Sequence, residues 1–310
     1  MKKVILGKSN ISVSRLCFGA LTIGPLQANM SVADGGDVIA YALEQGVNFI
    51  DTAQLYRTYT HIRHALEVTQ KFDTVIASKT YAYDRKSAIA AIEEARCELN
   101  RDYIDIFLLH EQENEHTLRG HREAFDYLCE CKADGIIRAV GISTHHVAGV
   151  RAASEFDEID VIHPMFNKTG LGIVDGTIDE MLAAIKVAVD KNIGIYAMKV
   201  LGGGNLIGDV HSALDFALNE PSIHSIAIGM QSTAEVDWNI AKFDGLTQEQ
   251  LPTRMRRLHI ESWCDACGEC VAACKQSALT CGEMLMVDAE KCVLCGYCAA
   301  ACEGFCIKVL

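Results

Sequence analysis

Short apolar runs alternate with stretches of helical periodicity through the first 245 residues. Eight runs read as the buried strands of a parallel sheet: residues 16–19, 47–53, 74–80, 105–111, 139–143, 161–166, 194–200 and 225–230. Helical patterns fall between them, over 31–45, 85–100, 120–133, 179–191 and 233–242. Gly46 closes the first as a C-cap glycine, and Asp134-Gly135 closes the third. Ile89, Ile92, Ala95 and Leu99 form the apolar stripe of the second. Eight β–α units in about 230 residues predict a TIM barrel. A doubly wound sheet is the alternative, but it carries a glycine-rich turn after its first strand. The segment here, Gly19-Ala20-Leu21-Thr22-Ile23-Gly24, does not fit that pattern. Residues 2–14, with a polar turn at 7–10, predict a hairpin that plugs the bottom of the barrel.

The pattern changes near the C-terminus. Cys264, Cys267, Cys270 and Cys274 form one C-x2-C-x2-C-x3-C run; Cys292, Cys295, Cys298 and Cys302 repeat it 28 residues later. Three thiolates on one tight loop suit a cubane iron–sulfur cluster, and the fourth reaches a neighbouring one. Zinc favours paired cysteines. A disulfide framework needs an oxidising compartment, and the apolar run at the N-terminus is too short for a signal peptide. Cys17, Cys97, Cys129 and Cys131 are expected to be packed or half-buried thiols. Cys281 and Cys306, inside the module but outside both runs, are expected to be small core residues.

Half of the 310 residues are hydrophobic, enough for one large core and a small module. A net charge of −13 argues against a nucleic-acid or anionic-membrane surface. No apolar stretch has the length to span a bilayer. A cytoplasmic, reducing setting is expected. Arg254, Arg256 and Arg257 make a basic knot before the cysteines, read as a solvated helix face in a linker.

In a TIM barrel the chemistry sits where strands end. The second strand ends in Asp51, with Tyr56 in its loop; the third ends at Lys79 and the fourth at His110. These groups suit carbonyl reduction by hydride. Tyr56 donates the proton, Lys79 lowers the phenol's pKa, Asp51 holds Lys79, and His110 orients the carbonyl. Specificity is expected from loops 55–63, 111–118 and 167–175, with Tyr59, His61, His64, His116 and His145 near that face.

Two resemblances follow from these residues. Leu6-Gly7-Lys8-Ser9, Asn48-Phe49-Ile50-Asp51-Thr52-Ala53 with Tyr56, Ile76-Ala77-Ser78-Lys79 and Asp105-Ile106-Phe107-Leu108-Leu109-His110 resemble the aldo-keto reductases. The resemblance spans residues 1–245 and implies a (β/α)8 barrel, an NAD(P)H-dependent carbonyl reductase and a catalytic four of Asp51, Tyr56, Lys79 and His110. By the same resemblance Ser143, Thr144 and His163 meet the nicotinamide, although the family usually has glutamine where His163 stands. Lys199, Leu201, Gly202 and Gly203 would carry the pyrophosphate. Gly229, Gln231, Ser232, Glu235 and Asn239 would hold the adenosine. No arginine or lysine stands between Met230 and Asn239, and Glu235 repels a 2′-phosphate, so NADH is expected over NADPH.

Residues 258–310 resemble bacterial two-cluster ferredoxins. That implies one [4Fe–4S] cluster on Cys264, Cys267, Cys270 and Cys302, and another on Cys292, Cys295, Cys298 and Cys274. The proline that usually follows the fourth cysteine is replaced by Lys275 and Glu303. The expected organisation is a barrel over 1–245, a linker over 246–257 and a small α+β ferredoxin-like domain over 258–310. A small carbonyl or alcohol is the expected substrate, with a soluble electron-transfer protein as partner. Two other readings stay open: a ferredoxin-linked oxidoreductase whose clusters supply or accept electrons, and a non-catalytic electron carrier.

Overall fold

A computed structural model describes residues 1–246, 258–274, 276–292 and 296–309. Arg254, Arg256, Arg257, Lys275 and Cys295, and the expected linker apart from Leu246, lie outside the described residues.

Residues 1–14 form the expected hairpin, β1 (Lys3–Ile5) against β2 (Ser12–Ser14), antiparallel. Eight parallel strands follow and close on themselves. They are β3 (Leu16–Gly19), β4 (Phe49–Asp51), β5 (Val75–Thr80), β6 (Ile104–Leu109), β7 (Ile137–Thr144), β8 (Val161–Pro164), β9 (Gly194–Ala197) and β10 (Ser225–Ile228). The last pairs with the first, Ala227 opposite Cys17, so the barrel has no free edge. Nine helices follow these strands in chain order among the described residues, two of them between β6 and β7. These are α1 (Val32–Glu44), α2 (Tyr59–Thr69), α3 (Arg85–Leu99), α4 (Glu115–Gly120), α5 (Arg122–Ala133), α6 (Val147–Ala153), α7 (Ile178–Asp190), α8 (Val210–Leu218) and α9 (Thr233–Phe243).

Leu6, Ile11 and Val13 of the hairpin join the barrel's interior cluster with Cys17, Phe49, Ala77, Leu108 and Tyr196. The hairpin turn meets the start of β9: a Cβ on Gly194 would lie 2.6 Å from Leu6 Cγ. The N-terminal end of the barrel is therefore plugged, and the opposite end is left for chemistry.

Several helices start and stop as their sequences dictate. Asp84 caps α3 in a capping box with Ser87, and Asn100 ends it in the left-handed region. The stripe of α3 is corrected by one position. Ala88, Ala91, Ile92, Ala95 and Leu99 are buried, whereas Ile89 is exposed. Three small residues there let the helix lie close to the sheet, so small side chains outrank a large one. Cys97 lies off that face and is exposed, against the expectation of a packed thiol. Cys17 and Cys131 are buried and Cys129 half-buried, as expected. The sequence pattern does not show α2, α4, α6 and α8.

The chain divides into two compact units. The first comprises Met1–Val200 and Asp215–Pro252; the second comprises Leu201–Leu214 and Thr253–Leu310. The second unit thus takes in a segment that the sequence pattern had given to the barrel. It holds two antiparallel strand pairs, β11 (Leu258–Ile260) with β14 (Ile307–Val309) and β12 (Leu279–Cys281) with β13 (Leu285–Val287). Two short helices, α10 (Glu269–Ala273) and α11 (Tyr297–Ala300), pack on a core of Cys270, Leu279, Leu285, Cys298, Ala299 and Ile307.

Candidate active site

Side chains alternate along a strand, and that period builds the site. Phe49 lies in the interior cluster, so Asp51, two residues on, points the same way. Val75 and Ala77 are interior on β5, and Lys79 follows. Ile106 and Leu108 lead to His110 on β6, Ala139 leads toward Ser143 on β7, and Val161 leads to His163 on β8. The apolar filling of the barrel therefore gives way, toward the strand ends, to a polar layer.

That layer is tightly bonded. Lys79 Nζ lies 2.7 Å from Asp51 Oδ1 and 2.8 Å from Oδ2, and donates to Thr52 O at 2.8 Å. Both side chains are buried. Tyr56 sits in a 3-10 turn, Gln54–Tyr56, and Arg57 in the left-handed region turns the chain toward α2. The hydroxyls of Thr52 and Thr58, 2.7 Å apart, tie the two ends of this loop. Lys79 Nζ stands 4.9 Å from the centre of the Tyr56 ring, and His110 meets that ring edge-on with centroids 5.7 Å apart. Tyr81 stacks on His110 at 4.4 Å and donates its hydroxyl to Glu111 at 2.6 Å. All four expected catalytic side chains thus share one mouth.

One expectation is corrected in its net effect. Lys79 was expected to lower the pKa of Tyr56, but the Tyr56 phenol is held well above its ordinary value, first by burial and then by the Asp51 and Glu111 carboxylates. Burial outweighs the Lys79 charge, part of which is already met by Asp51 and Thr52 as acceptors of its protons. Tyr56 is consequently a protonated donor across the neutral range.

His110 is nine-tenths or more enclosed, and its Nδ1 is buried without a protein partner. Burial, then the Lys79 charge, holds its imidazole well below the usual pKa. A neutral ring carries one N–H, which suits a donor to an uncharged carbonyl. The pH dependence follows in sign. Because the folded-state pKa is depressed, the neutral ring contributes stability above the unfolded value of about 6.5, and that contribution is lost as pH falls through the folded value. The rate profile of carbonyl reduction should therefore show no histidine step near pH 6.5; a step there, abolished by His110→Gln, would contradict a neutral His110.

The expected nicotinamide residues are present at the barrel mouth but internally engaged. Ser143 Oγ accepts from Glu111 N at 2.9 Å, and Thr144 Oγ1 accepts from His146 N at 2.9 Å. His163 Nδ1 lies 2.6 Å from Tyr196 O; a carbonyl only accepts, so Nδ1 carries the proton. Lys199 occupies the left-handed region with φ 54°. Ser232 caps α9, and Glu235 Oε2 accepts from Gln231 N at 2.9 Å, so the carboxylate serves its own helix start. Gln231 Nε2 donates to Thr22 O at 3.1 Å. Asn239 Oδ1 is buried with no protein partner, an acceptor suited to an exocyclic amine. Gly229 is required by space: a Cβ would come 2.0 Å from Thr22 Cγ2. Leu201, Gly202 and Gly203 fall in the second unit, where Gly202 and Gly203 have φ of 57° and 63°.

The expected rim residues are engaged by neighbouring groups. Tyr59 is buried on α2, hydrogen-bonded to Ser78 at 2.6 Å. His61 bonds Met30 O at 3.2 Å, and His64 pairs with Asp37 at 2.8 Å. His116 pairs with Arg119 on α4. His145 Nε2 lies 3.8 Å from Glu111 Oε1. The first three stand on α2, a helix that the sequence pattern does not show. The sequence reading also overlooked Tyr196, whose hydroxyl donates to Asp51 Oδ1 at 2.9 Å; its position on β9, two residues after Gly194, was the available signal.

The second unit repeats itself at the spacing of the cysteines. Gly268 (φ 87°) precedes α10 and Gly296 (φ 85°) precedes α11. Cys270 and Cys298 are buried in the two helices. Ala278 N donates to Cys274 Sγ at 3.4 Å, and Cys306 N donates to Cys302 Sγ at 3.2 Å. Among the described residues, no three His, Cys, Asp or Glu side chains are grouped as a single metal ion requires. Each thiolate of a cubane binds its own iron, so such close grouping is not its geometry. Cys306 is buried, as expected; Cys281 is exposed, its thiol donating to Ala266 O at 2.9 Å. It sits at the end of β12, beyond the core position held by Leu279.

The architecture and its polar mouth define a (β/α)8 barrel with its candidate site at the strand ends. Residues 15–222 match the Aldo/keto reductase family, and the chain belongs to that family. It is 26% identical over 236 residues to the NADH-specific methylglyoxal reductase of Escherichia coli (strain K12), covering 68% of this chain and 70% of that protein. It is 28% identical over 159 residues to the uncharacterized oxidoreductase YqkF of Bacillus subtilis (strain 168), covering 46% of this chain and 49%, about half, of that protein. The aldo-keto reductase AKR11C1 of Bacillus halodurans, in its holo form, shares the fold with a TM-score of 0.64 at 21% identity, over 82% of this chain and 93% of that one.

Proposed function

We propose that the barrel catalyses reversible, NAD(P)H-dependent reduction of an aldehyde or ketone to an alcohol. The observation that carries this is the meeting of Asp51, Tyr56, Lys79 and His110 at one mouth. The nicotinamide supplies the hydride. Tyr56 gives its proton to the carbonyl oxygen as charge develops there, His110 donates a hydrogen bond to the same oxygen, and the Asp51–Lys79 pair fixes the field around the phenol. Ser143, Thr144 and His163 would hold the nicotinamide, and Gly229, Gln231, Ser232, Glu235 and Asn239 the adenosine. The unpartnered Asn239 Oδ1 and His110 Nδ1 fit such ligands. Glu235 and the lack of a basic residue beside it favour NADH. The E. coli relative makes methylglyoxal a sensible first carbonyl to assay.

Two [4Fe–4S] clusters complete this reading, one on Cys264, Cys267, Cys270 and Cys302, the other on Cys292, Cys295, Cys298 and Cys274, in a ferredoxin-like domain over 258–310. The repeated glycine turns and the paired N–H···S bonds to Cys274 and Cys302 support it. The clusters would supply one-electron chemistry toward a soluble electron-transfer partner. A reducing, cytoplasmic setting suits these thiols, and among the described residues no helix is long and apolar enough to cross a membrane.

The test is direct. Protein purified without oxygen should carry iron and acid-labile sulfide at about eight each per chain. It should oxidise NADH with members of an aldehyde and ketone panel, and bind NADH more tightly than NADPH. No oxidation with any carbonyl overturns the reductase reading; tighter NADPH binding overturns the nucleotide preference; iron well short of that content overturns the clusters.

A further inference from the structure

Asp51 has a second hydrogen-bond partner that the four-residue site does not use. Tyr196, fully buried on β9, donates its hydroxyl to Asp51 Oδ1 at 2.9 Å, the same oxygen that lies 2.7 Å from Lys79 Nζ. The Tyr196 ring is held on both sides. Phe49 meets it edge-on at 5.1 Å, and His163 stacks on it at 3.8 Å with an interplanar angle of 15°. The His163 ring is in turn fixed by its Nδ1–H bond to Tyr196 O, which sets Nε2 3.7 Å from Asp51 Oδ1. A barrel interior needs no buried hydroxyl at this level; a phenylalanine fills the same volume. The hydroxyl is there because a buried carboxylate needs more donors than Lys79 alone supplies.

We propose that Tyr196 is a positioning residue for the reaction: its hydroxyl shares the charge of Asp51, so that Lys79 is not wholly neutralised and its field still reaches Tyr56. This rests on the reductase reading above. Several titratable groups face this centre, with His145 and Lys199 acting on it through His110. Cys17 on β3, Asp51 on β4, Lys79 on β5, His110 and Glu111 at the end of β6, His163 on β8, and the phenols of Tyr81 and Tyr196 surround Tyr56 and Asp51. Burial holds the Cys17 thiol and the tyrosines protonated, and His110 and His163 neutral. Among the described residues, Asp51, Lys79 and Glu111 are the charged groups acting on Tyr56 and Asp51, and Lys199 acts on His110 and His163 behind them. Removing the Tyr196 hydroxyl puts more of the carboxylate's charge on Lys79 and strengthens its repulsion of a Tyr56 phenolate. Both effects make Tyr56 a weaker acid.

The experiment is a double-mutant cycle on the whole holoenzyme with Tyr196→Phe and Asp51→Asn. Tyr196→Phe keeps the ring contacts and should lower kcat for carbonyl reduction roughly tenfold, with the Kd for NADH unchanged. In the Asp51→Asn background the same change should cause no further loss. Tyr59→Phe, which removes another buried tyrosine hydroxyl on the Ser78 side, is the matched control and should retain wild-type kcat. Tyrosinate absorbance reads the same cycle without any substrate. The titration step missing in Tyr56→Phe should move up by roughly one pH unit in Tyr196→Phe, and should not move further when Asp51 is already Asn. Equal losses in both backgrounds, or an unmoved titration step, overturn the proposal. Full activity in Tyr56→Phe would instead overturn the reductase reading, and the titration cycle still decides the role of Tyr196.

Discussion

Tyr56→Phe is expected to lower kcat/KM for carbonyl reduction by about 10²- to 10⁴-fold, the range a positioned proton donor contributes. NADH binding should be unchanged, because the role proposed for the lost hydroxyl is at the carbonyl oxygen. The structure makes this expectation sharp. The phenol is held protonated by burial and by Asp51, so it is in its donor form at neutral pH. His110 alone, neutral and with one N–H, can polarise a carbonyl but cannot easily surrender its proton. Steady-state kinetics with a saturating carbonyl, together with equilibrium NADH binding, check the prediction. A variant that retains more than a tenth of wild-type kcat/KM would place the proton donor elsewhere.

Lys79→Met is expected to be the largest stability effect in the barrel. The side chain is nearly isosteric and 1% exposed, so little packing is lost. What remains is a buried Asp51 carboxylate without its cation, and breaking such a pair costs about 3–5 kcal/mol. The sign of the pH dependence follows. Burial already raises the Asp51 pKa, against the lowering by Lys79 and Tyr196. Without Lys79 the folded-state value rises further. An acid with a raised folded pKa stabilises the fold while protonated and loses that stability as pH rises through the folded value. The deficit relative to wild type should therefore shrink toward pH 4 and be full at neutral pH, where Asp51 is forced to ionise or to hold a proton against solvent. Urea unfolding at both pH values measures it. An equal deficit at the two values would mean that Lys79 contributes by packing rather than by charge.

Much of this was legible in the chain because a parallel barrel imposes a simple register. Once Val75 and Ala77 are read as interior, Lys79 must point inward, and the same step of two places Asp51, His110, Ser143 and His163. The eight strands were found with errors of a few residues, since each is a short apolar run with a defined end. The misses have physical causes. Helix α2 is polar on average, so its buried face, Tyr59, His61, Ile62, Ala65 and Leu66, does not stand out in the sequence. Ile89 was placed inside because it is large, whereas α3 buries the alanines beside it. The net Tyr56 pKa is not legible in the sequence, which shows that Lys79 is near but not that burial of the phenol outweighs it. Tyr196 was passed over because an aromatic inside a strand ordinarily means packing; only the 2.9 Å bond to Asp51 distinguishes it. The segment Leu201–Leu214 was assigned to the barrel by chain order, and only three-dimensional contacts place it with the cysteine-bearing unit.

The central claim is that hydride passes directly from nicotinamide to carbonyl at the Tyr56 mouth, rather than by single electrons through clusters with a proton from water. Isotope tracing tests it most directly. With NADH deuterated at the transferring position, in ordinary water, the alcohol should carry one deuterium on its carbinol carbon; with unlabelled NADH in heavy water, that carbon should carry none. Deuterium appearing at that carbon from the solvent, and not from the nucleotide, would contradict the account.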